Sequence, residues 1–285
     1  MDSTSGVVVS DGLRALDGAA GGGDGARIVA LSFCREMPMS DSILVEACVD
    51  SVASATAAQA GGAQRVEVCA DLFEGGLTPS AGMIRQIRER LQIRLHVLIR
   101  PRAADFCYDA DELAVMAADI DMARKLGADG VVLGVLLPDG CLDRQQTARL
   151  AERARPLAVT FHRAIDVARE PLQVLDQLIE LGLERVLTSG QEETALAGME
   201  TIAALVERAA GRIAVMAAGG IDERNVERVV AGTGVREVHA TLRAATASRM
   251  TYRAVHCGMG GALRPAEFGW STTSKDRVEA LRAAL

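Results

Sequence analysis

Aromatic residues are scarce in this chain: one Trp, two Tyr and five Phe among 285 residues. The core must therefore come mainly from Ala, Val, Leu and Ile, in keeping with a hydrophobic content of 49%. Long apolar runs are also lacking, and none approaches the ~20 residues of a membrane span. Basic residues are not in excess. The formal net charge is −7, which argues against broad binding to nucleic acid or to an anionic membrane. Cysteines number only six, too few for a disulfide scaffold in a chain of this length. They show no C-x-x-C or His-x3-His spacing, so a structural zinc site is not expected. Reduced thiols in a cytoplasm fit this usage. No G-x-G-x-x-G follows the first predicted strand, so no nucleotide cofactor is indicated.

Residues 1–38 have little periodicity, carry Gly21-Gly22-Gly23 and are scattered with acids. They lack a basic segment leading an apolar run of about 7–15 residues, so no secretory signal is read there. A disordered tail is expected, with residues 39–285 forming one domain.

From Ile43 onward, short β-branched runs alternate with helical stretches. Strands are predicted near 43–48, 65–70, 94–100, 130–135, 157–163, 184–188, 212–217 and 236–240. Helices are predicted over 51–60, 80–91, 112–126, 143–154, 171–181, 194–209 and 222–231. Thr78 before Pro79 reads as an N-cap with proline at the first helical position, and Asp109-x-x-Glu112 as a capping box. Gly127, Gly182 and Gly232 are placed to end helices. Thr273-Ser274 reads as the start of a last short helix. Eight strand–helix units predict an α/β fold, a (β/α)8 TIM barrel. The stretch 241–270 has little periodicity, and a loop that long is often functional.

Two of the strands are nearly the same sequence. Leu44-Val45-Glu46-Ala47-Cys48 and Arg65-Val66-Glu67-Val68-Cys69 both end in Glu-x-Cys. Alternate residues of a strand share a face. Glu46 and Cys48 therefore point one way, and Glu67 and Cys69 do the same on the next strand. One β-α-β unit makes the two strands parallel neighbours. Two thiols and two carboxylates then meet at one end of the sheet.

The same alternation sets His96 and Arg100 against Leu95, Val97 and Ile99. It sets Thr160 and His162 against Val159 and Phe161, and Glu237 and His239 against Val238. The outer face of a barrel meets helices and must be apolar. The inward set is thus Glu46, Cys48, Glu67, Cys69, His96, Arg100, Thr160, His162 and His239. Barrel active sites form at the C-terminal strand ends, where loops add Arg102, Asp105, Arg163, Asp166, Ser189, Gly219 and Gly220. Barrel interiors are usually Val, Ile and Leu, and burying ions is costly. The set is either a structural ion-pair network or a site.

Two thiolates are the soft ligands that Cu(I) prefers, and Arg100 is a candidate cation for stabilising them. Two buried core cysteines are the plainer reading. His162-Arg163 with Asp166 reads as an acid–base or anion-binding corner, and His96 as structural. Ser189 with Gly219-Gly220, ahead of a helix that Asp222 would cap, is a candidate phosphate cradle. Cys107, Cys141 and Cys257 read as incidental thiols.

These residues carry a family resemblance. Val45-Glu46-Ala47-Cys48-Val49-Asp50-Ser51, Gly61-Gly62-Ala63-Gln64-Arg65-Val66-Glu67-Val68-Cys69 and Glu74-Gly75-Gly76-Leu77-Thr78-Pro79-Ser80 resemble segments of the CutC copper homeostasis proteins. So do Ile99-Arg100-Pro101-Arg102, Thr160-Phe161-His162-Arg163-Ala164 and Val186-Leu187-Thr188-Ser189-Gly190. The likeness runs from Ile43 to Tyr252. It implies a cytoplasmic barrel, sometimes oligomeric, linked to copper tolerance. It also implies that Cys48 and Cys69 are the Cu(I) ligands. The family commonly has Arg-Pro-Arg-Gly-Gly-Asp, where this chain has Ala103 and Ala104 in place of the two glycines.

Two functions follow as expectations. In the first, Cys48 and Cys69 hold a copper ion while Glu46 and Glu67 shape the site. In the second, a barrel enzyme acts on a small anionic metabolite. Arg100, Arg102 and Arg163 would bind the anion, and Glu67 or His162 would move protons.

Overall fold

The computed structural model describes residues 42–254, 256 and 269–285. The tail expected at 1–38 and the thiols Cys34 and Cys257 lie outside the described residues. Eight parallel strands close into a barrel in chain order. They are β1 (Leu44–Val49), β2 (Arg65–Val68), β3 (Arg94–Leu98), β4 (Gly130–Leu133), β5 (Ala158–Phe161), β6 (Arg185–Thr188), β7 (Ala214–Ala217) and β8 (Glu237–Ala240). The connecting helices are α1 (Val52–Ala60), α2 (Ala81–Arg88), α3 (Ala110–Lys125), α4 (Arg144–Ala154), α5 (Pro171–Glu180), α6 (Met199–Ala209) and α7 (Val226–Thr233). The (β/α)8 expectation is met.

The alternation sorts the strand residues as predicted. Val45, Ala47, Val66, Val68, Leu95, Val97, Val159 and Phe161 belong to the apolar layer between strands and helices. Cys48, Cys69, Leu98 and Val132 pack together separately. Leu187, Met216 and Ala218 form a third small group. The lower interior is charged. Arg65, Glu46, Arg185, Glu237, His96 and Thr160 are all buried there.

Several boundaries shift. α2 starts at Ala81, capped by Ser80, whose hydroxyl accepts from the Met83 N–H at 3.2 Å. Thr78 is not the cap. Its hydroxyl instead accepts from the Arg100 N–H at 2.9 Å, pinning the chain to the end of β3. Asp109 and Glu112 do form the capping box. α7 starts at Val226 rather than behind Asp222, and its C-cap is Gly234, not Gly232. Gly234 takes a left-handed conformation (φ 73°), where a side chain would be strained.

The stretch read as a long loop contains a strand. β9 (Arg243–Ala247) pairs antiparallel with β10 (Gly269–Thr273). Helix α8 (Lys275–Ala283) follows and packs against α1. The Thr273 N–H donates to Ser54 on α1 at 3.1 Å. Among the described residues no helix is long and apolar enough to cross a membrane.

Candidate metal centre

Cys48 and Cys69 face each other, with Sγ atoms 3.7 Å apart. Both side chains are buried where the repeated Glu-x-Cys pattern placed them. The backbone fixes this approach: β1 and β2 pair with Cys48 opposite Glu67, and the Cys69 N–H donates to the Val49 carbonyl at 2.9 Å.

The third member comes from the barrel's closing seam. β1 pairs with β8, which puts Glu46 opposite His239. His239 Nδ1 lies 2.7 Å from Glu46 Oε1, and Nε2 lies 3.5 Å from Glu67 Oε2. Ligand atoms of Cys48, Glu67 and His239 all lie within 4.8 Å of one another. Beneath them Arg65, wholly buried, donates through Nε to Glu46 Oε2 and through Nη2 to Glu237 Oε2 at 2.5 Å. Arg185 closes the row with a two-point contact on Glu237, at 2.5 and 3.1 Å.

These contacts set the charges. Burial opposes ionisation of Glu46, but Arg65 and His239 outweigh it and hold its carboxyl well below the usual range. The hydrogen bond from the Cys69 thiol draws the Cys48 thiol down to about 6, and His239 adds to this. That same bond, with burial, holds Cys69 well above the usual thiol range. Burial pushes Glu67 well above the usual carboxyl range. Burial opposes charge on His239, but Cys48, Glu46 and Glu67 keep its imidazolium stable well above the usual pKa. These contacts favour the thiolate at Cys48 and the charged forms of Glu46 and His239, and the neutral forms of Cys69 and Glu67.

The basic group that acts on the Cys48 thiol is His239, and Arg100 is not among its neighbours. Arg100 ties loops together instead. Its guanidinium donates to the carbonyls of Glu74 and Gly76, each at 2.8 Å, and of Ala104 at 3.1 Å. It also lies 5.3 Å from the Phe106 ring centroid. Arg102 is occupied by Glu112 and Asp105, at 2.5 and 2.9 Å. His162 is buried, and its Nδ1 accepts from the Ala164 N–H at 3.1 Å. Burial and then Arg100 lower its pKa to about 3. Burial likewise lowers the pKa of His96 to about 3.

At the other side of the mouth, the Asp166 carboxylate occupies the donors expected to bind an anion. It accepts from the Ser189 N–H and hydroxyl, both at 2.9 Å, and from Arg163 Nε at 2.7 Å. Gly219 stands beside Ser189, and the Gly220 carbonyl accepts from the Asn225 side chain at 2.8 Å. Cys107 and Cys141 are free, partly exposed thiols away from the pair.

The sequence did not single out Arg65, Arg185 or Glu237, nor His239 as a neighbour of the thiols. Alternation put Glu237 and His239 on the inner face. Arg65 shares the parity of Glu67 and was legible by the same rule.

The comparison with known proteins settles the family. The CutC family pattern matches residues 43–244. This chain belongs to the CutC family. The human "Copper homeostasis protein cutC homolog" is 44% identical over 244 residues, covering 86% of this chain and 89% of that protein. A CutC family protein of Xanthomonas campestris is 53% identical over 206 residues, covering 72% of this chain and 86% of its own. The crystal structure of a CutC from Streptococcus agalactiae superposes with a TM-score of 0.67 at 35% identity, covering 70% of this chain and 98% of that one. Every residue of the Cys48–Glu67–Cys69–His239 cluster falls inside the CutC match.

Proposed function

We propose that this CutC protein binds Cu(I) in the cytoplasm as part of copper homeostasis, with Cys48 and Cys69 as the sulfur ligands. The observation that carries the reading is the pair of buried sulfurs 3.7 Å apart. Soft thiolates suit Cu(I), and a reducing compartment keeps the pair free to bind. Cys48 stands ready as a thiolate, and Cys69 gives up its proton on binding. The copper ion is cargo here, delivered to a site that a barrel wall shields. The test is competition with a Cu(I) chelator under reducing, oxygen-free conditions. One tight equivalent per chain is expected, lost in the Cys48→Ser/Cys69→Ser double variant. Equal binding by that variant would refute the assignment.

A second reading, an enzyme acting on a small anionic metabolite, is favoured by one observation. Arg100 Nε and His162 Nε2 are buried without a protein hydrogen-bond partner, and buried polar atoms so placed take up a water, an ion or a ligand group. Native mass spectrometry of the purified protein tests it. A bound anion lost in His162→Leu supports the enzyme, and none in either form counts against it.

A further inference from the structure

We infer that Glu46 is a positioning residue for the metal site: it holds the His239 ring so that Nε2 serves as a third ligand beside Cys48 and Cys69. The inference rests on the copper reading above and names how that site is completed.

The sulfur spacing calls for a third donor. With metal–sulfur bonds of about 2.3 Å, two thiolates on opposite sides of one ion would stand about 4.6 Å apart. The observed separation is 3.7 Å. As they stand, the sulfurs occupy one side of an ion and leave the other side open. His239 supplies a ring nitrogen within 4.8 Å of Cys48 Sγ and of a Glu67 carboxylate oxygen, and Cys69 joins this group through Cys48, 3.7 Å away.

Which nitrogen is free follows from Glu46. Nδ1 is engaged by Glu46 Oε1 at 2.7 Å, which leaves Nε2, 3.5 Å from Glu67 Oε2, as the nitrogen for a metal; the ion would bind there as the Nε2 proton leaves to solvent. Glu46 cannot swing away, because Arg65 grips its other oxygen. Arg65 in turn is held by Glu237, and Glu237 by Arg185. The ring is thus referenced to the base of the barrel through a chain of buried contacts. Metal-binding histidines commonly donate their second N–H to a carboxylate, which fixes the tautomer and the ring orientation. Here the backbone register across the β1–β8 seam enforces that partnership.

The test uses the full chain with its histidines 15N-labelled. On Cu(I) loading, the His239 Nε2 resonance should move while Nδ1 keeps its proton. Chelator competition is run in parallel on wild type, Glu46→Gln, His239→Gln and the double variant. Glu46→Gln and His239→Gln should each weaken Cu(I) binding roughly 10- to 100-fold. The double variant should bind no more weakly than His239→Gln alone, because Glu46 acts through the ring. A purely structural Glu46 would weaken binding in the His239→Gln background too, and that result overturns the inference. So does Cu(I) binding with the His239 ring resonances unmoved. If Glu46→Gln does not fold, the wild-type spectra decide. A wild type that binds no Cu(I) at all refutes the copper reading itself, whereas binding with an unmoved ring refutes only this inference.

Discussion

Arg65→Met removes the guanidinium held between Glu46 and Glu237 in the barrel core. Its side chain is wholly buried, and Glu46 is 1% exposed. Breaking a buried ion pair from one side costs roughly 3–5 kcal/mol, because a charge is left uncompensated. Each carboxylate keeps a second cationic partner, His239 for Glu46 and Arg185 for Glu237. The lower end therefore applies, about 3 kcal/mol. An unfolding entropy of about 2.1 cal/mol/K per residue gives about 0.5 kcal/mol/K for some 240 residues, hence a drop of about 6 °C in Tm. Calorimetry at pH 7 on wild type and variant measures this, with urea unfolding as a second probe. A Tm within a degree of wild type would show that the charged layer does not hold the barrel and would refute the reasoning.

Acid should destabilise the protein through its buried histidines. His96 and His162 have folded pKa values of about 3, against about 6.5 when unfolded. Between those values the unfolded chain binds protons that the folded chain does not, so the contribution of these two histidines is full above 6.5 and falls as pH drops toward 3. The slope is about 1.4 kcal/mol per pH unit for each histidine. Urea midpoints at pH 7 and pH 5 should show the loss, and His162→Leu should remove one histidine's share; an unaltered slope would contradict it. Gly134→Ala should cost about 1–3 kcal/mol, because a Cβ there would lie 2.5 Å from the His162 ring; a variant as stable as wild type in urea would deny that close packing. Asp109→Ala should cost about 1 kcal/mol through loss of the capping box at α3, and no change in the urea midpoint would mean the cap is dispensable.

The barrel and the thiol pair were legible because both depend on local periodicity. Glu46, Cys48, Glu67 and Cys69 follow from strand parity and one short crossover. His239 was assigned to the right face, but its bond to Glu46 joins residues 193 apart and exists only because β8 closes onto β1. Arg65, Arg185 and Glu237 begin their strands, where charged residues ordinarily meet water. Ring closure buries them against one another instead. Arg100 is correctly placed at the mouth, yet its role in tying loops depends on carbonyls of Glu74, Gly76 and Ala104, whose orientation no residue pattern encodes. β9 was missed because Arg243-Ala244-Ala245-Thr246-Ala247 has no apolar alternation, and its partner strand lies far along the chain.

The most direct test of the central claim is anomalous diffraction at the copper edge from crystals loaded with Cu(I) under reducing conditions. One strong peak per chain is expected, within bonding distance of both Cys48 Sγ and Cys69 Sγ and beside His239 Nε2. A peak elsewhere in the molecule, or none in protein that binds copper in solution, would contradict it.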